Sequence, residues 1–103
     1  MANRTLMPLE PSLVIERKVK GGKLFRLRIS NIESSRFIQL TGDFFLEPEE
    51  GIDAIEACLT ECLEVPDKRE AERRLTRTIA ESQIQIVGFE ARDIIDALWE
   101  ARS

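Results

Sequence analysis

Apolar and basic residues alternate from Phe25 to Ile29, and this alternation constrains the fold more than any other part of the chain. Phe25, Leu27 and Ile29 fall on one face of an extended segment, while Arg26 and Arg28 fall on the other. The pattern is typical of a β-strand that packs its apolar face and leaves its charged face in water.

The segments on either side of this strand predict an antiparallel meander. Residues 13–20 are β-like but irregular, and Gly21-Gly22 is a turn signal between them and the alternating strand. Residues 30–35 are mostly polar and are predicted to be a hairpin link, and residues 36–41 the next strand. Gly42-Asp43 then interrupts this third strand, and residues 44–46 are predicted to extend it. Three strands joined by short links favour an antiparallel sheet.

Helical periodicity replaces the alternation after Pro48. Pro48 is predicted to open a helix whose first turn holds Glu49 and Glu50, since a missing N–H costs nothing there and the helix dipole favours anions. Apolar residues at helical spacing then form its buried stripe: Ile52, Ile55, Leu59 and Leu63.

Two further helices are predicted after Pro66. Asp67 and Glu70 form a start like a capping box for the first of them, whose narrow apolar face holds Ala71, Leu75 and Ile79. Residues 82–87 are either a short strand or an extended link, and a last helix runs from about residue 90 to 101. The predicted fold is α+β, a small antiparallel three-stranded sheet packed against helices. Residues 1–11 are predicted to be an N-terminal extended arm, and residues 12–103 to form one domain.

The composition argues against a catalyst that works alone. The chain has 103 residues and contains no histidine and no tyrosine, so it cannot assemble a Ser-His-Asp or Cys-His nucleophile. Cys58 and Cys62 share one helix face, but they lack the spacing and the further ligands of a zinc site, and a disulfide within one helix has poor geometry. We therefore predict buried free thiols, with no catalytic, cofactor-binding or metal-binding residue.

Charge is distributed unevenly along the chain, whose formal net charge is −4. Residues 47–66 hold seven acidic residues and no basic one. The first strands carry the basic residues Lys18, Lys20, Lys23, Arg26 and Arg28. A solvated sheet face, a protein interface and phosphate contacts are all open for them. A second basic cluster lies on the second helix (Arg69, Arg73, Arg74 and Arg77), either as a solvated face or as a patch that docks an acidic partner.

The most unusual segment is Gly42-Asp43-Phe44-Phe45. Two adjacent phenylalanines on a strand point to opposite faces, so one can fill the core while the other is covered by another element or a partner, or is exposed. The preceding glycine permits a bulge or a close approach of two backbones.

Taken in order along the chain, these features resemble the C-terminal accessory domain of lipoate–protein ligases. The similarity rests on Gly22-Lys23-Leu24 opening an alternating strand, on the G-D-F-F sequence of residues 42–45, and on the helices that follow; it covers roughly residues 14–101. The resemblance implies a two-layer domain of the SufE/NifU type. It also implies that this chain is the stand-alone small subunit of a split ligase, because the sequence begins at Met1 and has no catalytic domain.

In that family, a large catalytic domain binds ATP and lipoate, forms lipoyl-adenylate, and transfers the lipoyl group to a lysine of an acceptor domain. In some organisms the two parts are separate polypeptides. The resemblance therefore implies a heterodimer in which the small chain is needed for adenylate formation but has no activity alone. ATP and lipoate are expected in the partner subunit, and the lipoyl-acceptor domain is an indirect partner. The expected interface residues are Lys23, Gly42, Asp43, Phe44 and Phe45.

Two alternatives stay open at this point. The fold similarity also suggests a sulfur or iron–sulfur assembly factor, which needs a reactive and accessible cysteine. The basic strands suggest a small nucleic-acid-binding regulator, whose binding is steeply salt-dependent. Under the preferred hypothesis of a ligase accessory subunit, we expect neither nucleic acid nor membrane as a partner. With no signal peptide visible and no long apolar stretch, a cytoplasmic location is expected.

Overall fold

A computed structural model describes residues 13–19, 21, 23–32 and 35–102. Three strands form an antiparallel sheet in the order β1-β2-β3: β1 is Leu13–Lys18, β2 is Leu24–Ile32 and β3 is Ser35–Gly42. The predicted α+β class and three-stranded meander are confirmed. The arm predicted for residues 1–11 lies outside the described residues, as does Gly22 of the predicted turn.

The alternation in β2 selects the buried side of the sheet as predicted. Phe25 and Leu27 are completely buried, whereas Arg26 and Arg28 are exposed. Arg26 lies opposite Glu16 of β1, and its Nε is 2.5 Å from the Glu16 carboxylate. The outer face of the sheet is therefore polar, and the inner face carries the apolar layer on which the helices pack.

The hairpin between β2 and β3 is confirmed, but its link is shorter than the predicted residues 30–35, because both strands extend into that segment. The ladder continues through Ser30↔Phe37 and Asn31↔Arg36 to Ile32↔Ser35. Backbone hydrogen bonds hold a hairpin ladder irrespective of side-chain polarity, so polar residues near a hairpin end do not have to leave the sheet.

Three helices follow the sheet: α1 is Gly51–Cys62, α2 is Lys68–Glu81 and α3 is Ala91–Arg102. The first begins at Gly51 and not at Pro48, because residues 48–50 form a turn in which the Gly51 N–H donates to the Pro48 carbonyl over 2.9 Å. Glu49 and Glu50 consequently precede the helix, and Asp53 is the acidic residue of its first turn.

Of the capping box predicted at the start of α2, only the N-cap is confirmed. Asp67 caps it by accepting a hydrogen bond from the Arg69 N–H over 3.0 Å. Glu70 does not complete the capping box. Its carboxylate accepts hydrogen bonds from Arg73 and Arg74 instead, because charged donors one turn away compete with the backbone.

The prediction that residues 44–46 extend β3 is wrong. Phe45–Glu47 form a separate strand, β4, which pairs antiparallel with β5, Gln85–Val87, in a two-stranded sheet. The open choice for residues 82–87 is thus decided in favour of a short strand. The two strands come from parts of the chain about forty residues apart, so no local turn signal announces their pairing.

One hydrophobic core joins all the layers. α1 packs on β3, and α3 packs on β1 and β2, while α2 packs on both other helices. The largest fully buried side chains are Phe25, Leu27, Ile55, Leu59, Leu75, Ile94, Ile95 and Leu98. Within the part of the chain that the structure describes, no helix is long and apolar enough to span a membrane.

The free edge of β3 is covered by a side chain of α1. The Leu40 N–H points away from β2 and donates to a Glu56 carboxylate oxygen over 2.8 Å. An uncovered edge is a template for pairing with other chains, and a charged side chain on that edge prevents it. The opposite edge is linked to α3 by an ion pair between Arg17 and Glu100.

Candidate functional site

The β3 strand ends at a close contact between two backbones. Gly42 has φ +148°, and a Cβ at this position would lie 2.2 Å from the Leu24 carbonyl oxygen and 2.6 Å from the Phe25 Cα. That carbonyl accepts a hydrogen bond from the Asp43 N–H over 2.7 Å. Only glycine fits this approach. The close backbone approach predicted at Gly42 is confirmed, and the bend directs the next residues out of the main sheet.

The two phenylalanines after this bend have different environments, as the strand geometry predicts. Phe44 packs edge-to-face on Phe89, with ring centroids 4.8 Å apart. Phe89 in turn contacts Phe25 of the core at 5.2 Å. Phe45, by contrast, is 75% exposed, the highest value among the large hydrophobic residues that the structure describes.

Phe45 has an apolar neighbour on the paired strand. Val87 lies directly opposite it in the β4–β5 ladder and is 61% exposed. Side chains directly opposite each other in an antiparallel pair share a face, so the two residues form one exposed apolar patch. The next residue, Gly88, has φ +132°, and a Cβ there would lie 2.9 Å from the Phe44 Cβ.

All five residues predicted for the interface border one open cleft of about 460 Å³. Its lining consists of Gly21, Lys23, Gly42, Asp43, Phe44 and Phe45. The β1–β2 turn contributes the first two and the end of β3 contributes the rest. Lys23 is exposed and also borders a second cleft that includes Val87 and Gly88. The structure thus gathers residues that the sequence separates by about twenty positions.

Sequence reasoning missed Val87 as a member of this site. The Gln-Ile-Gln-Ile-Val run before Gly88 showed the alternation of a strand, but nothing local indicated which strand it joins. Only the long-range pairing with β4 places Val87 beside Phe45.

The other predicted basic residues lie elsewhere. Lys18, Arg26 and Arg28 are on the exposed outer face of the sheet, and Lys20 lies outside the described residues. One aromatic residue among those described, Phe37, is half-exposed on that face. These residues do not border the cleft.

Cys58 and Cys62 are free thiols buried under the α1–α2 contact, as predicted. Cys62 is fully buried, and its thiol donates to the Ala71 carbonyl over 3.8 Å. A side-chain hydrogen bond between the two thiols, together with burial, raises the pKa of Cys62, while the same bond lowers the pKa of Cys58. Only 8% of Cys58 is exposed, so neither sulfur is presented to a substrate.

The cleft combines charged and apolar side chains. Its two charged side chains, Lys23 and Asp43, lie beside the exposed ring of Phe45. An apolar anchor with a polar rim is the usual composition of a protein-binding hot spot. Among the side chains that the structure describes, no three cysteine, aspartate or glutamate residues come together in a way that could hold a metal ion.

The fold defines a small α+β protein in which a three-stranded antiparallel sheet, a two-stranded sheet and three helices form a compact globule. Comparisons with protein-family models, with curated proteins and with solved structures find no match to this chain.

Proposed function

We propose that this chain is the non-catalytic accessory subunit of a two-component lipoate–protein ligase. It acts with a large catalytic subunit, which joins lipoate to ATP, releases pyrophosphate, and passes the lipoyl group from AMP to a lysine of the acceptor domain. We also propose that its fold is related to the two-layer SufE/NifU type. The proposal that the acyl group is lipoate rests on the sequence resemblance.

One structural observation supports the proposal of an accessory role. The residues on which the resemblance rests, Lys23 and the G-D-F-F sequence, surround one cleft, and Phe45 stands exposed at its border beside Val87. Phe45 is 75% exposed and Val87 61%, and an exposed apolar patch with polar neighbours is typical of a protein-interaction site. The small domain also gains buried surface from such a partner.

The accessory action follows from physical chemistry that needs no catalytic side chain in this chain. Docking orders loops of the large subunit, which lowers the entropy cost of placing ATP and lipoate for reaction. Docking also shields the mixed anhydride of lipoyl-adenylate from water. Both effects act on the partner's active site through binding energy alone.

The test is pyrophosphate release from ATP and lipoate with three samples: the large subunit alone, this chain alone, and their mixture. We expect release only in the mixture, accompanied by a complex of both chains on size-exclusion chromatography. A mixture no more active than the large subunit alone refutes the proposal.

The sulfur-transfer alternative receives less support, because the thiols of Cys58 and Cys62 are buried within α1. A reactive sulfur carrier presents its cysteine on an accessible loop or helix start. Labelling with a thiol reagent separates the two proposals. Both thiols are expected to react in denaturant and to resist the reagent in the native protein; fast native labelling would favour sulfur transfer.

A further inference from the structure

The outer side of α2 carries a row of arginines next to a groove. Arg69, Arg73 and Arg77 follow one another at four-residue spacing, and the parallel row is Glu72, Thr76 and Ala80. The two rows enclose an open groove of about 560 Å³. We call these six residues the α2 ridge.

The three arginines of the ridge outnumber its one acidic residue, Glu72. Lys68 at the start of α2 pairs with Asp96 at 2.7 Å, and Arg73 shares the single carboxylate of Glu70 with Arg74. Arg69 and Arg77 have no acidic partner among the described side chains, although the whole chain carries a net charge of −4. Two free guanidinium groups on an acidic protein therefore point to an acidic ligand.

The shape of the ridge favours a helix as that ligand. Residues four apart on a helix form ridges with grooves between them, and a second helix packs its own rows into such grooves. Successive arginines are about 6 Å apart along the axis, which is also the spacing of carboxylates four residues apart on a partner helix. The small side chains of Thr76 and Ala80 leave room for a close approach.

The ridge is continuous with the cleft of the candidate site. Its groove shares Glu72 and Thr76 with a second groove that reaches Glu90 and Arg92. The cleft beside Val87 is also lined by Glu90 and Arg92, and it extends to Lys23. One surface thus runs from the exposed apolar patch to the arginines, so a partner seated on Phe45 can also reach α2.

We propose that the α2 ridge binds an acidic helix of a partner protein, with carboxylates at four-residue spacing facing Arg69, Arg73 and Arg77. A helix is favoured over nucleic acid because, among the described residues, no aromatic side chain borders this groove for base stacking. The ridge would bind such a helix whether or not the partner is a ligase subunit.

The test uses fluorescence anisotropy at about 50 mM salt, where surface charges are weakly screened. The probe is a labelled alanine-rich peptide of about 20 residues with glutamates four apart on one face, and the matched peptide carries glutamine at those positions. Binding is measured for the wild type and for Arg69→Gln/Arg77→Gln. The control, Lys18→Gln/Arg28→Gln, removes two exposed charges from the outer sheet face.

We expect the glutamate peptide to bind more tightly than the glutamine peptide. The ridge variant is expected to weaken binding about tenfold, the effect of two exposed ion pairs, whereas the control stays within about twofold. Equal binding of both peptides, or equal losses in the two variants, overturns the proposal. It is also overturned if a single-stranded oligonucleotide binds more tightly than the glutamate peptide through the same arginines.

Discussion

Adjacent phenylalanines Phe44 and Phe45 are expected to respond to substitution in opposite ways. Phe44 packs on Phe89 at 4.8 Å, whereas Phe45 is 75% exposed. Phe44→Ala should therefore lower the free energy of unfolding. Phe45→Thr, which retains a β-branched residue suited to a strand, should instead weaken binding of the large subunit.

The magnitudes follow from the exposed and buried areas. A phenylalanine side chain offers about 200 Å², so roughly 150 Å² of Phe45 is available to a partner and roughly 50 Å² is already covered. At about 25 cal/mol per Å², the covered part limits the loss of stability to about 1 kcal/mol. The exposed part limits the binding contribution to about 4 kcal/mol, and truncated hot spots lose about 2–4 kcal/mol, or roughly 30- to 1,000-fold in Kd. Because Phe44 is only partly buried, Phe44→Ala should cost about 2–3 kcal/mol of stability, less than the roughly 3–5 kcal/mol of a fully buried phenylalanine.

Two assays separate the effects. Urea unfolding followed by the fluorescence of Trp99, the single tryptophan, measures stability. Titration of the large subunit measures affinity. Phe37→Thr removes another exposed ring, one that does not border the cleft, and should leave affinity unchanged. Opposite roles for the two rings are refuted if Phe45→Thr destabilises the fold as much as Phe44→Ala, or if Phe37→Thr weakens binding as much as Phe45→Thr.

Three further predictions concern the fold that supports the site. Gly42→Ala should destabilise the protein by more than about 3 kcal/mol, since it adds a backbone clash to the strain of positive φ. Gly21→Ala, at φ +96° but in open space, should cost about 1–2 kcal/mol. Equal losses in urea unfolding would contradict the clash at Gly42. Glu56→Ala leaves the Leu40 N–H without its acceptor and should cost about 1–3 kcal/mol, whereas Glu56→Gln keeps an acceptor oxygen and should cost less; equal losses would show that this hydrogen bond does not matter. Hydrogen bonds from two arginines of its own helix lower the pKa of Glu70 below the ordinary 4.5, so the carboxylate stabilises the fold above that pH and this contribution is lost as pH falls through the lowered value. Glu70→Gln should therefore be slightly less stable than the wild type at pH 7 and equally stable in strong acid, and a difference in unfolding that does not change with pH would refute this.

Much of the fold was predictable because local periodicity reports which side of an element is buried. The alternation at Phe25 and Leu27 predicted the inner face of the sheet, and the stripe containing Ile55 and Leu59 predicted the buried face of α1. The N-cap at Asp67 was also readable, since a carboxylate before a helix accepts from its first N–H groups.

Long-range pairing was not predictable by the same reasoning. Residues 44–46 looked like an extension of β3, but Phe45–Glu47 pair with Gln85–Val87 across about forty residues. Strands of three residues carry too little periodicity to identify a partner. Their pairing depends on how α1 and α2 pack, because those helices occupy the chain between the two strands.

By itself, the sequence determined that no histidine chemistry exists in this chain, that Gly42 permits a close backbone approach, and that Phe44 and Phe45 face opposite ways. Only the tertiary structure decided that Phe45 is the exposed one, that Val87 lies beside it, and that the arginines of α2 continue the same surface. The physical reason is that strand geometry assigns neighbouring side chains to opposite faces. Whether a face is covered depends on elements far away in the sequence.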